Sequence, residues 1–366
     1  MVRRGMMKFS AIIIILGLLM FSRNYLQISI RPSNVHREVN VLNMKEPKLD
    51  RQSYVVDSGH IEVKRRNLPN LENMNWPKKE FLLTPMGAPT SRQMPLEAKL
   101  SRGQMRTMWK LFSTFMNAME ELGFSDRWML YGGTLLGSFR HHDITPWDDD
   151  LDLIVDVEAR PGLREKIRKL KPDILIKEGG QRDKIYAKLI EPSNSSEDVY
   201  GSRKLSAYNW GWPYLDVSYY SSNGTHIQEL AWSYGRYYGY AKSDIFPLIL
   251  RPFYKYWVPT PRNTFAVLLQ TYPGNDLCSA SSYSHITEHG TPGRTVPCKE
   301  LADRYAFVEH TPLYENVQNQ NDTQDELAWV RERLVRGGKT IHEINLVAPW
   351  RESNADTYRL HEKSSA

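Results

Sequence analysis

Five aspartates, Asp143, Asp148, Asp149, Asp150 and Asp152, fall within ten residues and run into the apolar Leu153-Ile-Val155. Placing so many acids beside a hydrophobic strand costs stability through mutual repulsion, unless a cation offsets it. From Leu151 to Val157 acid and apolar residues alternate and then give way to an apolar run, the pattern of a half-buried strand. Residues two apart on a strand face the same way, so Asp148, Asp150 and Asp152 are expected on one face and Asp149, Leu151 and Leu153 on the other. A hard dication such as Mg2+ or Mn2+ suits this oxygen-only set and leaves positions open for phosphate oxygens. The competing reading is a solvated acidic turn, and the interleaved leucines weigh against it.

Upstream lies Gly132-Gly133-Thr134, a turn whose missing side chains let backbone N–H groups approach a phosphate, with a helix N-terminus just beyond. Trp128 to Tyr131 before it reads as a short strand, and Leu135, Leu136 and Phe139 after it as a short helix. Further upstream, Met105, Met108, Phe112, Phe115, Met119 and Leu122 recur at three- and four-residue steps and Gly123 follows. That spacing predicts an amphipathic helix that starts near Ser101 and packs its methionines into the core. Downstream, a helix is expected over Pro161–Leu170, strands over Ile174–Ile176, Lys184–Ile190 and Pro213–Tyr220, and helices over Asn263–Gln270 and Asp325–Val335. Strands and helices interspersed in this way give an α/β or α+β fold with a small mixed sheet.

The stretch Gly133-Thr-Leu-Leu-Gly137 followed by Pro146-Trp-Asp-Asp-Asp-Leu-Asp152 resembles the LicD, fukutin and fukutin-related protein group of the nucleotidyltransferase superfamily. The resemblance spans roughly residues 101 to 275. It implies a nucleotidyltransferase-like mixed sheet flanked by helices. In that superfamily a third acid sits on a later strand between apolar residues, and Leu215-Asp216-Val217 fits. The cysteines do not match the four-ligand zinc site of fukutin-related protein, so that feature is not carried over.

The resemblance implies a CDP-alcohol donor, such as CDP-choline or CDP-ribitol, and a sugar hydroxyl as acceptor. The chemistry agrees in outline, because attack on a pyrophosphate-linked donor needs charge neutralisation more than covalent catalysis. Asp150 and Asp152 are expected as metal ligands, Asp216 as a further ligand or as the base for the acceptor hydroxyl, and Asp148 as an auxiliary ligand. Gly132, Gly133, Thr134 and Ser138 are expected near the donor phosphates, with Arg140 and Lys188 as neutralising cations. His141 and His142 read as hydrogen-bonded loop residues, and Trp147 as packing that orients the acidic strand. The aromatics from Tyr208 to Tyr240 fit either a stacking surface or plain core. Two alternatives share these features: a Golgi glycosyltransferase whose Asp-x-Asp binds a nucleotide sugar, and a non-catalytic luminal glycan-binding protein.

The setting is read from the ends of the 366-residue chain. Residues 9–22 carry no charge and are almost wholly apolar, with Arg3, Arg4 and Lys8 before them and Arg23 after. A helix of these fourteen residues spans about 21 Å, against about 30 Å of bilayer core. Length alone also fits a cleaved signal peptide, but no small-x-small site follows, and Lys8 and Arg23 can snorkel. The expected organisation is a cytoplasmic tail at 1–8, a type II anchor at 9–22, a stem at 23–100 and a luminal catalytic domain at 101–366, in the Golgi or ER. Asn194, Asn223 and Asn321 each open an Asn-x-Ser/Thr acceptor triplet. The only two cysteines, Cys278 and Cys298, would pair in an oxidising lumen, a link worth about 3 kcal/mol; two free buried thiols, or metal binding with help from His285 and His289, are the other readings. The net charge of +6 is mild and interleaved with acids, without the basic stripe that nucleic-acid binding requires.

Overall fold

The computed structural model describes residues 68–79, 82, 96–187, 208–233, 235–272, 277–317 and 327–349. The expected anchor at 9–22, Lys188, Asn194 and Asn321 lie outside the described residues. Among the described residues, no helix is long and apolar enough to cross a membrane.

Helix α1 (Arg102–Glu121) begins where the sequence predicts. The Ser101 hydroxyl oxygen accepts a hydrogen bond from the Gln104 backbone N–H, and the Ser101 backbone N–H donates to Gln104 Oε1, so two otherwise orphaned donors are satisfied. Its stripe of Met105, Met108, Phe112, Phe115 and Met119 is buried, each such side chain contributing about 1.5–3 kcal/mol. Gly123 ends the helix at φ +74°, a left-handed conformation that glycine adopts without a Cβ clash.

The central sheet is mixed, with strand order β1 (Trp128–Leu130), β2 (Leu151–Asp156), β5 (Tyr214–Ser222), β4 (Arg182–Ala187), β3 (Ile174–Glu178). Helix α2 (Gly132–His141) joins β1 to β2, and α3 (Arg160–Arg168) opens the crossover to β5. That crossover makes β2 and β5 parallel, while β1–β2, β5–β4 and β4–β3 are antiparallel. Strands β6 (His226–Glu229) and β7 (Gly239–Ala241) extend β5 beyond this path. A short helix α4 (Lys242–Ile245), a hairpin of β8 (Ile249–Phe253) and β9 (Tyr256–Thr260), and α5 (Thr264–Thr271) follow. Then come short strands β10 (Leu277–Ser279), β11 (Tyr283–Ser284), β12 (His289–Gly290) and β13 (Thr295–Pro297), and a three-stranded antiparallel sheet of β14 (Phe307–Val317), β15 (Leu327–Arg336) and β16 (Lys339–Pro349).

Two expectations need correction. The helix expected over Asp325–Val335 is strand β15, the centre of that last sheet. Val330, Glu332 and Leu334 are buried while Arg331 and Arg333 are partly exposed, a period of two. A buried glutamate in the apolar phase hid that period from a hydrophobicity pattern. The second concerns the stem. Leu68, Leu71, Leu82 and Leu100 belong to the main core, and Trp76 packs on it, so these residues of the expected stem are part of the folded body.

Candidate active site

Parallel pairing of β2 with β5 sets Asp152 directly beside Asp216. Asp150, just before β2, joins them, and one ligand atom from each of the three lies within 4.8 Å of the others. They line a cavity of about 1040 Å³, together with Gly132, Gly133, Asp148, Arg182, Lys184 and His285. Asp150 is 2% exposed and Asp216 6%, yet neither Asp150 Oδ2 nor Asp216 Oδ1 has a hydrogen-bond partner among the described residues. Buried polar atoms are almost always paired, so two orphaned carboxylate oxygens facing one cavity fit a bound divalent cation.

The N-terminus of α2 is fastened to this cluster. The Gly133 amide donates to Asp152 Oδ2 at 3.1 Å, and the Asp152 amide donates to Thr134 Oγ1 at 2.7 Å. Gly132 sits at φ +52°, and a Cβ there would come 2.6 Å from Asp152 Oδ2. A Cβ on Gly133 would come equally close, 2.6 Å, to Asp148 Oδ2. The glycines therefore serve first to admit carboxylates rather than a side chain of their own.

The remaining residues singled out from the sequence separate into two groups. Arg140 lines the cavity, and one of its nitrogens donates to the Leu277 carbonyl at 3.2 Å. Thr134 is fully buried, its hydroxyl engaged with the Asp152 backbone. Ser138 points away: its buried hydroxyl donates to the Pro252 carbonyl at 3.0 Å, and it is absent from the cavity lining. Asp143 pairs with Lys79 at 2.7 Å, outside the cavity. His141 is hydrogen-bonded to the Ala306 carbonyl and His142 to Glu332 and His342, both away from the cavity. Trp147 is buried, and its indole donates to the Ser279 carbonyl at 3.0 Å. In the aromatic stretch Tyr214, Tyr219 and Tyr240 are core, whereas Tyr208 and Trp210 line the cavity.

Sequence reading did not assign Arg182, Lys184 or His285 to this cavity. Lys184 lies directly across from Asp216 on β4, its Nζ 3.5 Å from Asp216 Oδ2, and an Arg182 nitrogen is 3.8 Å from the same oxygen. Their alternation along β4 was a usable signal, since Arg182, Lys184 and Tyr186 share one face. His285 was weighed only as a partner of the two cysteines, and nothing local tied it to the acidic turn. It comes from the loop closed by the Cys278–Cys298 disulfide and reaches Asp149 through Nδ1 at 2.8 Å. The disulfide also removes these cysteines as metal ligands. Asp149, on the opposite side of the acidic turn, is held as well by Lys99 at 3.2 Å and by the His285 amide.

Burial and repulsion shape the charges. Burial, then the neighbouring Asp216 and Asp148, lifts Asp152 to about 7. Burial, then Asp149, lifts Asp148 to about 6. Asp150 is pushed well above the ordinary carboxylate range, first by burial, against the opposing pull of His285, with Asp152 adding to the rise. Burial alone would lower His285, but Asp150 and the bond to Asp149 outweigh it and raise the imidazole to about 10. Such a cluster resists losing its protons until a cation takes their place.

No curated protein matches the chain. Residues 125–263 match the family model described as LicD/FKTN/FKRP, nucleotidyltransferase domain. The matched span runs from β1 through β9 and holds Asp148, Asp150, Asp152 and Asp216; the disulfide-closed loop with His285 lies beyond it. The chain thus carries, over residues 125–263, the nucleotidyltransferase domain of the LicD/fukutin family.

Proposed function

We propose that the protein is a metal-dependent phosphotransferase that moves a phospho-alcohol group, of the phosphocholine or ribitol phosphate type, from a CDP-linked donor to a glycan hydroxyl. The observation that carries this reading is the pairing of Asp152 with Asp216, which gathers three carboxylates with two unpartnered oxygens beside a Gly-Gly helix start. Family membership supports the class of reaction. Asp150, Asp152 and Asp216 would hold a divalent cation, Mg2+ or Mn2+, with Asp148 beside Gly133 as an auxiliary. When bound, the cation would neutralise the donor's pyrophosphate charge. Arg182 and Lys184 would meet the same charge from β4. In the transfer the acceptor oxygen bonds the distal phosphorus, the bridging P–O bond breaks, and CMP leaves with the electron pair. The acceptor proton passes to a carboxylate of the cluster.

The site would work in the Golgi or ER lumen on a type II anchor, a setting supported by the apolar run at 9–22 and by Asn223, which lies exposed in the turn between β5 and β6. The test offers the full chain CDP-choline, CDP-ribitol and UDP-sugars with Mg2+ or Mn2+, and reads CMP and UDP release separately. Metal-dependent CMP release is expected. Cleavage of UDP-sugars alone would replace this reading with the glycosyltransferase one, and an absence of metal affinity in calorimetry would favour a binding protein.

A further inference from the structure

The imidazole of His285 stands between the two halves of the acidic turn. Its Nδ1 is hydrogen-bonded to Asp149 Oδ1 at 2.8 Å, and its Nε2 lies 3.4 Å from Asp150 Oδ2. Asp150 Oδ2 is the buried oxygen without a hydrogen-bond partner. A spacing of 3.4 Å is long for a hydrogen bond, and within a few tenths of an ångström of the roughly 3.0 Å between neighbouring ligands on an octahedral cation with bonds of about 2.1 Å. A ring held at Nδ1 by a carboxylate, with Nε2 turned to an open ligand position, is how proteins orient a metal-binding histidine. Asp149, Asp150 and His285 offer ligand atoms within 4.8 Å of one another, and this set shares Asp150 with the Asp150–Asp152–Asp216 set.

The loop that delivers His285 is built to hold it there. Cys278 and Cys298 close it, and it is fastened to the acidic turn through the Ser279 carbonyl, which accepts from Trp147 at 3.0 Å. At its far side Glu288 accepts hydrogen bonds from Trp210, Tyr214 and Tyr283, each at 2.9 Å. Glu288 adopts φ +54° while making them. A non-glycine residue in that region carries strain, and these contacts offset it.

We infer that His285 is a nitrogen ligand, through Nε2, of the divalent cation that Asp150 holds, with Asp149 orienting its ring. The inference rests on the carboxylate site of the proposed function and adds its metal preference. A nitrogen ligand disfavours Mg2+, which takes oxygen, and favours a first-row transition dication, of which Mn2+ also accepts carboxylates. Mn2+ should therefore bind the full chain at least tenfold more tightly than Mg2+.

The test is electron spin echo spectroscopy of Mn2+ bound to the metal-free full chain, produced once with natural histidine and once with 15N-histidine. Modulation from a directly bound 14N that changes to the 15N pattern on labelling is the expected result. It should vanish in His285→Gln, whose amide still reaches Asp149, and the tenfold preference for Mn2+ should vanish with it. Mn2+ bound without any histidine nitrogen, or nitrogen modulation that persists in His285→Gln, would overturn the inference and leave the carboxylate site standing. If the wild-type chain takes up no Mn2+ at all, the carboxylate site and this inference fall together. Because the labelling experiment uses the unaltered protein, Mn2+ bound there without a histidine nitrogen overturns the inference even if the variant does not fold.

Discussion

The two ends of helix α2 face two buried charge clusters that are handled in opposite ways. At its N-terminus, Asp150, Asp152 and Asp216 crowd together with two oxygens unpartnered. At its C-terminus, Glu332 is only 1% exposed, yet both of its oxygens are occupied. Arg251 donates to them at 2.7 and 2.8 Å, His142 lies 2.8 Å from one and His310 3.1 Å from the other. Burial alone would raise Glu332, but Arg251 and the histidines hold it well below the ordinary range. Glu332 ties α2, β8, β14 and β15 together, and His142 and His342 continue the network to the Asn75 carbonyl. A charge buried to join elements is thus neutralised by the chain itself. The acidic cluster, for which we propose a cation, keeps lone pairs open.

That contrast can be broken from either side. Asp150→Asn should cut transfer by more than about a thousandfold, because several kcal/mol of charge stabilisation go with the cation. The same variant should unfold no more easily than wild type without metal, since it removes repulsion; CMP-release kinetics and urea denaturation read the two effects. Glu332→Ala should do the reverse and lose about 3–5 kcal/mol of stability in urea, because Arg251 and the histidines are left buried without their counter-charge. Gly133→Ala should fall between, at about 1–3 kcal/mol, since its Cβ would meet Asp148 Oδ2 at 2.6 Å and force the carboxylates apart. It should also weaken Mn2+ binding, which calorimetry would detect.

A further effect concerns pH. Asp152, raised in the fold from 3.8 to about 7, is comfortable when protonated. The contribution of Asp152 to the stability of the metal-free chain should therefore decline as pH rises from about 4 to about 7. His141 and His142, which burial lowers to about 3 and about 4, oppose it and gain over part of the same interval. His285, raised from 6.5 to about 10, continues the decline over that higher interval as its stabilising proton is lost. A cation needs the ionised carboxylates, so the gain in Tm on adding Mn2+ should be larger at pH 7.5 than at pH 5. Calorimetric scans at both values with a flat or opposite trend would show that the cluster is not strained by its own charge.

Much of the site was legible because its elements are local. Alternation from Leu151 marked β2 and Gly132-Gly133 marked the start of α2, a periodicity and a turn preference that neighbouring residues impose. Asp216 on β5 was singled out by the family resemblance, which its apolar flanks fit. Ser138 was misjudged because the direction of a side chain on a short helix depends on its partner, here the Pro252 carbonyl. β15 was misjudged because Glu332 looks solvent-bound until Arg251 is beside it.

The sequence by itself determined the acidic strand, the glycine turn and the helical stripe of α1, since each follows from backbone geometry over a few residues, whereas Asp216 was singled out by the family resemblance. Only the tertiary structure decided which oxygens remain open, that Arg182 and Lys184 stand against Asp216, and that His285 crosses from a disulfide-closed loop to reach Asp149. Those outcomes depend on contacts between residues tens to hundreds of positions apart, and no local pattern encodes a contact whose partner lies on another strand.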